Sequence, residues 1–181
     1  PPASSRWRVS QSDRPVIAHV SGFQLAFVRC NDPGCSGEDE TVRVIDATNS
    51  FGVELVLDAS GNPVIAYQAS SSVRIARCND SDCDPGANGA ESIETVVAGG
   101  NPGLALDAGG RPGFSYTSGG QVRFAQCNDL NCSGGDEVFS TLANSSFETS
   151  MRRNASGHPV ITSFTSPQLR VVSCNDAFCF G

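Results

Sequence analysis

The chain contains no lysine, and all twelve of its basic residues are arginine. Schiff-base chemistry through a lysine amine is therefore excluded. Nineteen acidic residues give a net charge of −7, and no stripe of basic residues offsets it, so the chain is expected to have no nucleic-acid partner. No apolar run approaches the roughly 20 residues of a membrane-crossing helix, so no membrane span is expected. The first residues do not read as a secretory leader. The sequence is expected to be a mature form or the ordered part of something longer.

Chemistry-bearing motifs are equally scarce. There is no nucleophile elbow, no phosphate loop and no zinc-hydrolase motif. The two histidines, His19 and His158, fall in repeat slots that other copies fill with unlike residues such as Tyr67, Tyr116, Asn62 and Arg111. A slot so variable does not point to a general base. No catalytic residue, cofactor or metal is expected, and the chain does not read as an enzyme.

What the sequence does contain is repetition. Cys30-Asn31-Asp32-Pro33-Gly34-Cys35 returns as Cys78-Asn79-Asp80-Ser81-Asp82-Cys83, as Cys127-Asn128-Asp129-Leu130-Asn131-Cys132 and as Cys174-Asn175-Asp176-Ala177-Phe178-Cys179. The first cysteines are 48, 49 and 47 residues apart, and these four copies hold all eight cysteines. Pro15, Pro63, Pro112 and Pro159 keep the same steps. Gly61, Gly110 and Gly157 stand two residues before the last three prolines, with Asp58, Asp107 and Asn154 three residues further back. The units run over about 1–46, 47–98, 99–143 and 144–181, within one domain spanning 1–181.

Each unit divides into short segments rich in Val, Ile and Phe, bounded by turn residues. Such segments are strands rather than helices. They fall at about 6–10, 15–20, 23–29 and 41–45; then 52–57, 63–68, 72–78 and 92–97; then 103–106, 112–117, 121–127 and 137–142. The fourth unit offers only 147–153, 159–164 and 168–174. In Asp-x-x-Gly-x-Pro, Asp bonds its own backbone, Gly takes positive φ and Pro starts the next strand. Four-stranded units of this period are the mark of propeller blades. The fold class expected is all-β: a β-propeller-type array of four blades, the last without its own fourth strand. A β-sandwich of the same strands is the alternative.

The cysteines read as one disulfide per blade, Cys30–Cys35, Cys78–Cys83, Cys127–Cys132 and Cys174–Cys179, and hence as a secreted, extracellular protein. Zinc would need two cysteine pairs brought together. Each staple closes a loop of about six residues and contributes on the order of 2 kcal/mol in the loop-entropy account. Asp80, Asp82 and Asp84, at alternate positions before Gly86, are spaced as in a calcium loop, although a disulfide inside the loop opposes the wrapping that calcium requires. Arg74, Arg123 and Arg170 share one slot and are expected to bond blade to blade, with Asp58 and Asp107 as partners. Sequons occur at Asn79, Asn131, Asn144 and Asn154, of which Asn144 and Asn154 are the glycosylation candidates.

The pattern Asp-x-x-Gly-x-Pro-x-Ile-x-Tyr followed by Arg-x-Ala-x-Cys-Asn-Asp-x-x-Cys resembles the repeats of large secreted bacterial β-propeller-like proteins of unknown function. The resemblance covers essentially the whole chain. It implies tandem blades and an extracellular location, and brings no catalytic residues. The first unit departs from it, with Asp13 in the glycine slot and Ala26 in the arginine slot.

An unpaired edge and an uncovered blade face are both adhesive. The expected role is a non-enzymatic structural or assembly protein whose partners are copies of itself. A glycan-binding lectin is the alternative. For it, the loops on the side away from the disulfides offer only Phe23, Phe51 and Phe147 as aromatic contacts, and Trp7 is the only tryptophan.

Overall fold

The structure is a computed structural model that describes residues 5–84, 91–144 and 148–180. Among these residues there is no helix, and fifteen strands form four antiparallel sheets. Blade 1 comprises β1 (Ser5–Val9), β2 (Pro15–Ser21), β3 (Gln24–Arg29) and β4 (Thr41–Asp46). Blade 2 comprises β5 (Ser50–Leu57), β6 (Pro63–Ala69), β7 (Ser72–Arg77) and β8 (Ser92–Ala98). Blade 3 comprises β9 (Gly100–Leu106), β10 (Pro112–Ser118), β11 (Gln121–Gln126) and β12 (Val138–Asn144). Blade 4 comprises β13 (Thr149–Arg153), β14 (Pro159–Thr165) and β15 (Gln168–Ser173). Within each blade the strands pair in chain order.

The repeated residues do repeated work. Asp58 Oδ1 accepts from the N–H groups of Ser60 and Asn62, each at 2.9 Å. Asp107 does the same for Gly109 and Arg111, and Asn154 for Ser156 and His158. Gly61, Gly110 and Gly157 then turn the chain with φ between 80° and 84°. The deviant first unit keeps the turn by substitution. Ser10 accepts from the Arg14 N–H, and Asp13 takes the glycine's left-handed place at φ 56°, a conformation that Asp tolerates better than most residues. Each strand-opening proline has no N–H to offer, yet its carbonyl accepts from the first cysteine of its own unit, at 2.9–3.0 Å in all four.

All four cysteine pairs are bonded within their own loops, each with a Cα–Cα separation of 4.9 Å. The second cysteine always sits in the left-handed region, at φ 49–56°. The Asp after each Cys-Asn holds the loop, its Oδ1 accepting from the N–H two residues on, at 2.6–2.8 Å.

Strand alternation gives every blade two faces, and the interior blades bury both. Ile65 and Tyr67 of blade 2 pack with Val16, Ala18, Leu25 and Phe27 of blade 1. Val64, Ala66, Val73 and Ile75, on the opposite face, pack with Leu104, Phe114 and Tyr116 of blade 3. Val122 and Phe124 close the third layer against Met151 and Ile161 of blade 4. This explains why Val64-Ile65-Ala66-Tyr67 is continuously apolar.

A Cβ at Gly110 would meet only ordinary van der Waals contact, 3.6 Å from Leu130, so Gly110→Ala isolates the cost of positive φ. It should destabilise by about 1 kcal/mol, while Asp13→Gly should leave stability unchanged or raise it, both measured by chemical denaturation.

Candidate functional site

The first strands of neighbouring blades adjoin one another, β1 against β5, β5 against β9 and β9 against β13. They form the inner side of the array. Among their residues Glu54 is the only acid. It is buried, and its Oε1 accepts from Arg6 Nε at 2.8 Å. Beside this pair Arg8 donates to the Trp7 carbonyl at 2.7 Å. Burial lowers the pKa of Arg8, and the nearby Arg152 of β13 lowers it further, against the pull of Glu54. Between blades 3 and 4, Ser115 Oγ donates to Thr149 Oγ1, which donates to the Asn101 carbonyl, each at 2.8 Å.

A second polar cluster joins blades 1 and 2. Asp46 Oδ2, at the end of β4, accepts from the Tyr67 hydroxyl at 2.5 Å and from Arg74 Nη1 at 2.8 Å. Burial would raise the Asp46 pKa, but the bonds from Tyr67, Thr48 and Arg74 outweigh it and hold the carboxyl at about 2, below its ordinary 3.8. Burial and Asp46 together push the Tyr67 phenol well above its ordinary range.

These contacts revise the expected arginine partners. Arg74 does bond blade to blade, but to Asp46 and not to Asp58. Asp58 belongs to Arg77 of its own blade, at 2.9 Å, and Asp107 to Arg111 of its own turn, at 2.8 Å. The reason is strand geometry. Arg77 ends β7 beside the Asp58 turn, whereas Arg74 lies three residues, or roughly 10 Å, further along. Arg123 meets Gln121 Oε1 at 3.0 Å, and Arg170 is exposed.

The acids of the calcium-like spacing, Asp80, Asp82 and Asp84, all engage protein groups. Asp82 pairs with Arg29, and Asp84 with Arg43 at 2.6 Å, so both reach across to blade 1. Asp80 Oδ1 accepts from the N–H groups of Asp82 and Asp84. The three carboxylates therefore point to separate partners. Pro85 and Gly86 lie outside the described residues. Sequence reading missed Asp46 and Glu54, and also the glutamates that brace the cysteine loops. Glu40 and Glu91 accept from the N–H groups of Asn31 and Asn79, each at 2.7 Å. An acid immediately before the fourth strand of each complete unit (Glu40, Glu91, Glu137) was the available signal.

Among the described residues, exposed apolar side chains gather on the outer faces of the two end blades. Leu25, Val73, Val122 and Leu169 occupy one repeat slot, five residues before the first cysteine. The first three are fully buried, while Leu169 is 70% exposed. Phe27, Ile75 and Phe124, two residues on, are likewise buried, and their counterpart Val171 is 63% exposed. Phe164 shares this face, and a groove of about 160 Å³ there also takes in Arg6 of β1. On blade 1 the row Trp7, Ile17, Val28 and Val42 runs across the sheet in register. Trp7 is 64% and Val42 61% exposed, and Val44 beside them is also open. His19 lies half-buried on this same face.

The remaining predicted positions are scattered. Phe23 and Phe51 form an edge-to-face pair at 5.8 Å, and Phe147 lies outside the described residues. His158 is half-buried in its turn. Asn144, ending β12, and Asn154 are exposed; residues 145 and 146 of the first sequon lie outside the described residues. Asn131 accepts from Ser92 Oγ, and Asn79 is exposed in its cysteine loop.

No family model and no curated protein matches the chain. Solved structures do. An exo-β-1,3-galactanase from Clostridium thermocellum superposes with a TM-score of 0.60 and 12% identity, covering 98% of this chain and 47% of that one. An exo-β-1,3-galactanase from Phanerochaete chrysosporium gives 0.56 and 12%, over 88% and 41%. An endo-arabinase from Bacteroides thetaiotaomicron gives 0.55 and 12%, over 95% and 74%. The chain spans less than half the length of the first two. At this identity the likeness shows the fold alone: the chain is an all-β, propeller-type array of antiparallel blades.

Asp46 supplies a pH test. Its folded pKa lies below the unfolded one, so its contribution is full above about pH 4 and is lost as pH falls through about 2. Asp46→Asn should cost about 2 kcal/mol at pH 7, and the gap to wild type should close between pH 4 and pH 2 in denaturation curves.

Proposed function

We propose that the protein is a non-enzymatic extracellular structural module whose copies associate head to tail through the two uncovered blade faces. One observation carries this reading. Blade 4 exposes Leu169 and Val171 in slots that blades 1, 2 and 3 bury against the next blade. Blade 1 leaves half-open Ile17, whose counterparts Ile65, Phe114 and Ile161 are buried against the preceding blade. A blade of this repeat is therefore the partner each face fits, and a second copy presents one. The two faces differ, so the contact is heterologous and propagates into a ring or a filament. Side chains such as Leu and Val gain about 25 cal/mol per Å² when such surface is removed from water.

The disulfides suit an oxidising compartment, and the resemblance to secreted bacterial repeat proteins agrees with it. The non-enzymatic reading draws on the inner strands. Glycoside hydrolysis generally takes two carboxylates flanking the bond. The inner strands offer Glu54 alone, already paired with Arg6.

Glycan binding is the second reading, favoured by the fold likeness to galactanases and by the exposed Phe23 beside Phe51. An array of β-galactans and arabinans tests it, and absence of binding would remove it.

Association is tested by light scattering over a concentration series. Wild type should increase in mass with concentration, and Leu169→Arg with Val171→Arg should abolish the increase while circular dichroism stays unchanged. A constant monomer mass for wild type, or unaltered association in the double variant, would overturn the proposal.

A further inference from the structure

Tyr67 and Arg74 stand opposite each other across β6 and β7, and Tyr116 and Arg123 do the same across β10 and β11. Tyr67 packs in the layer shared with blade 1, and Tyr116 in the layer shared with blade 2. At the first junction both side chains of the pair donate to one oxygen, Asp46 Oδ2, at 2.5 and 2.8 Å, and Arg74 also donates to Thr48 Oγ1 at 3.1 Å. Asp46 lies opposite Leu25 in its sheet. Val73 fills the Leu25 slot in blade 2 and lies opposite Val97. Val97 is therefore the counterpart of Asp46, and Gly99, two residues on, that of Thr48. Val97 packs against the layer that holds Tyr116 but carries no oxygen, and Gly99 has no side chain. The second junction thus keeps both donors and lacks both acceptors.

No other acid replaces Asp46 there. The described residues include all 19 acids of the chain, and none of them forms an ion pair with Arg123. Glu94 of β8 lies opposite Ile75, three residues before Val97, and is not paired with it. Arg123 donates to Gln121 Oε1 at 3.0 Å, a neutral acceptor on its own strand. Burial raises the pKa of the Tyr116 phenol and Arg123 opposes the rise, whereas the Tyr67 phenol also feels a carboxylate. Arg123, Val97 and Gly99 are each half-buried, so the place is reached from solvent.

A buried tyrosine hydroxyl usually finds a hydrogen-bond partner, and a partly desolvated guanidinium is favoured by a counter-charge. We infer that Tyr116 and Arg123 form a carboxylate-binding site at the junction of blades 2 and 3, where a carboxylate from outside the chain takes the place that Asp46 fills one junction earlier. The site lies between two interior blades and does not rest on association through the outer faces of the end blades.

Titration with sodium acetate, followed by NMR, tests it, with sodium chloride at matched ionic strength and acetamide as controls. The amide signals of Tyr116 and Val97 and the Nε–H signal of Arg123 should shift saturably with acetate, and not with chloride or acetamide. The signals of Tyr67 and Arg74 should stay in place, because Asp46 already fills their site. Arg123→Gln should weaken binding by about tenfold or more, and Tyr116→Phe by about threefold. Val97→Asp supplies the carboxylate from within and should abolish acetate binding while circular dichroism stays unchanged. Sodium glucuronate separates the sources: tighter binding than acetate assigns the site to an acidic saccharide, and equal or weaker binding assigns it to a free carboxylate. Absence of a saturable shift at Arg123, an equal shift with chloride, an equal shift at Arg74, or acetate binding unweakened in both Arg123→Gln and Tyr116→Phe would overturn the inference.

Discussion

Face-to-face burial between blades is the constraint on which the rest of the structure depends. A four-stranded sheet alone cannot bury two apolar faces, and each layer here is completed only by the next blade. Tyr67 shows the consequence. Its ring is buried between blades 1 and 2, so its hydroxyl must find a partner there, and Asp46 of the preceding blade supplies it with Arg74 as counter-charge. The polar links between blades thus follow from the apolar packing that brings them together.

The same constraint explains why one interface is rich in ion pairs. Arg6, Arg29, Arg43 and Arg74 all bridge blades 1 and 2, to Glu54, Asp82, Asp84 and Asp46. At the next junction Arg77 reaches only carbonyls, of Gly110 and Leu130. Copies of one unit have therefore kept a common apolar layer while their polar contacts diverged. The cysteine loop has not diverged, because its staple and its Asp bonds are internal to each copy and need no neighbour.

That division also decides what could be read from residues alone. Strands, turns and disulfides were legible because they rest on local signals repeated four times: the proline, the left-handed slot, the Asp that bonds its own backbone. Even the deviant first turn obeys the same geometry once Ser10 and Asp13 are seen to substitute for Asp and Gly. The partners of Arg74, Asp82 and Asp84 were not legible. They depend on which strand end meets which blade, and a spacing of alternate acids is the same whether arginine or a metal answers it. Glu54 was hidden for another reason, since its slot holds Arg6, Gly103 and Ser150 in the other units.

Blade 4 carries the packing surface of an interior blade and leaves its Leu169 and Val171 exposed among the described residues. Hydrogen exchange across a concentration series tests this most directly. In dilute solution the amides of β15 should exchange far faster than those of β7 and β11, and they should become protected as concentration rises. Protection of β15 equal to that of β7 and β11 at every concentration would contradict it.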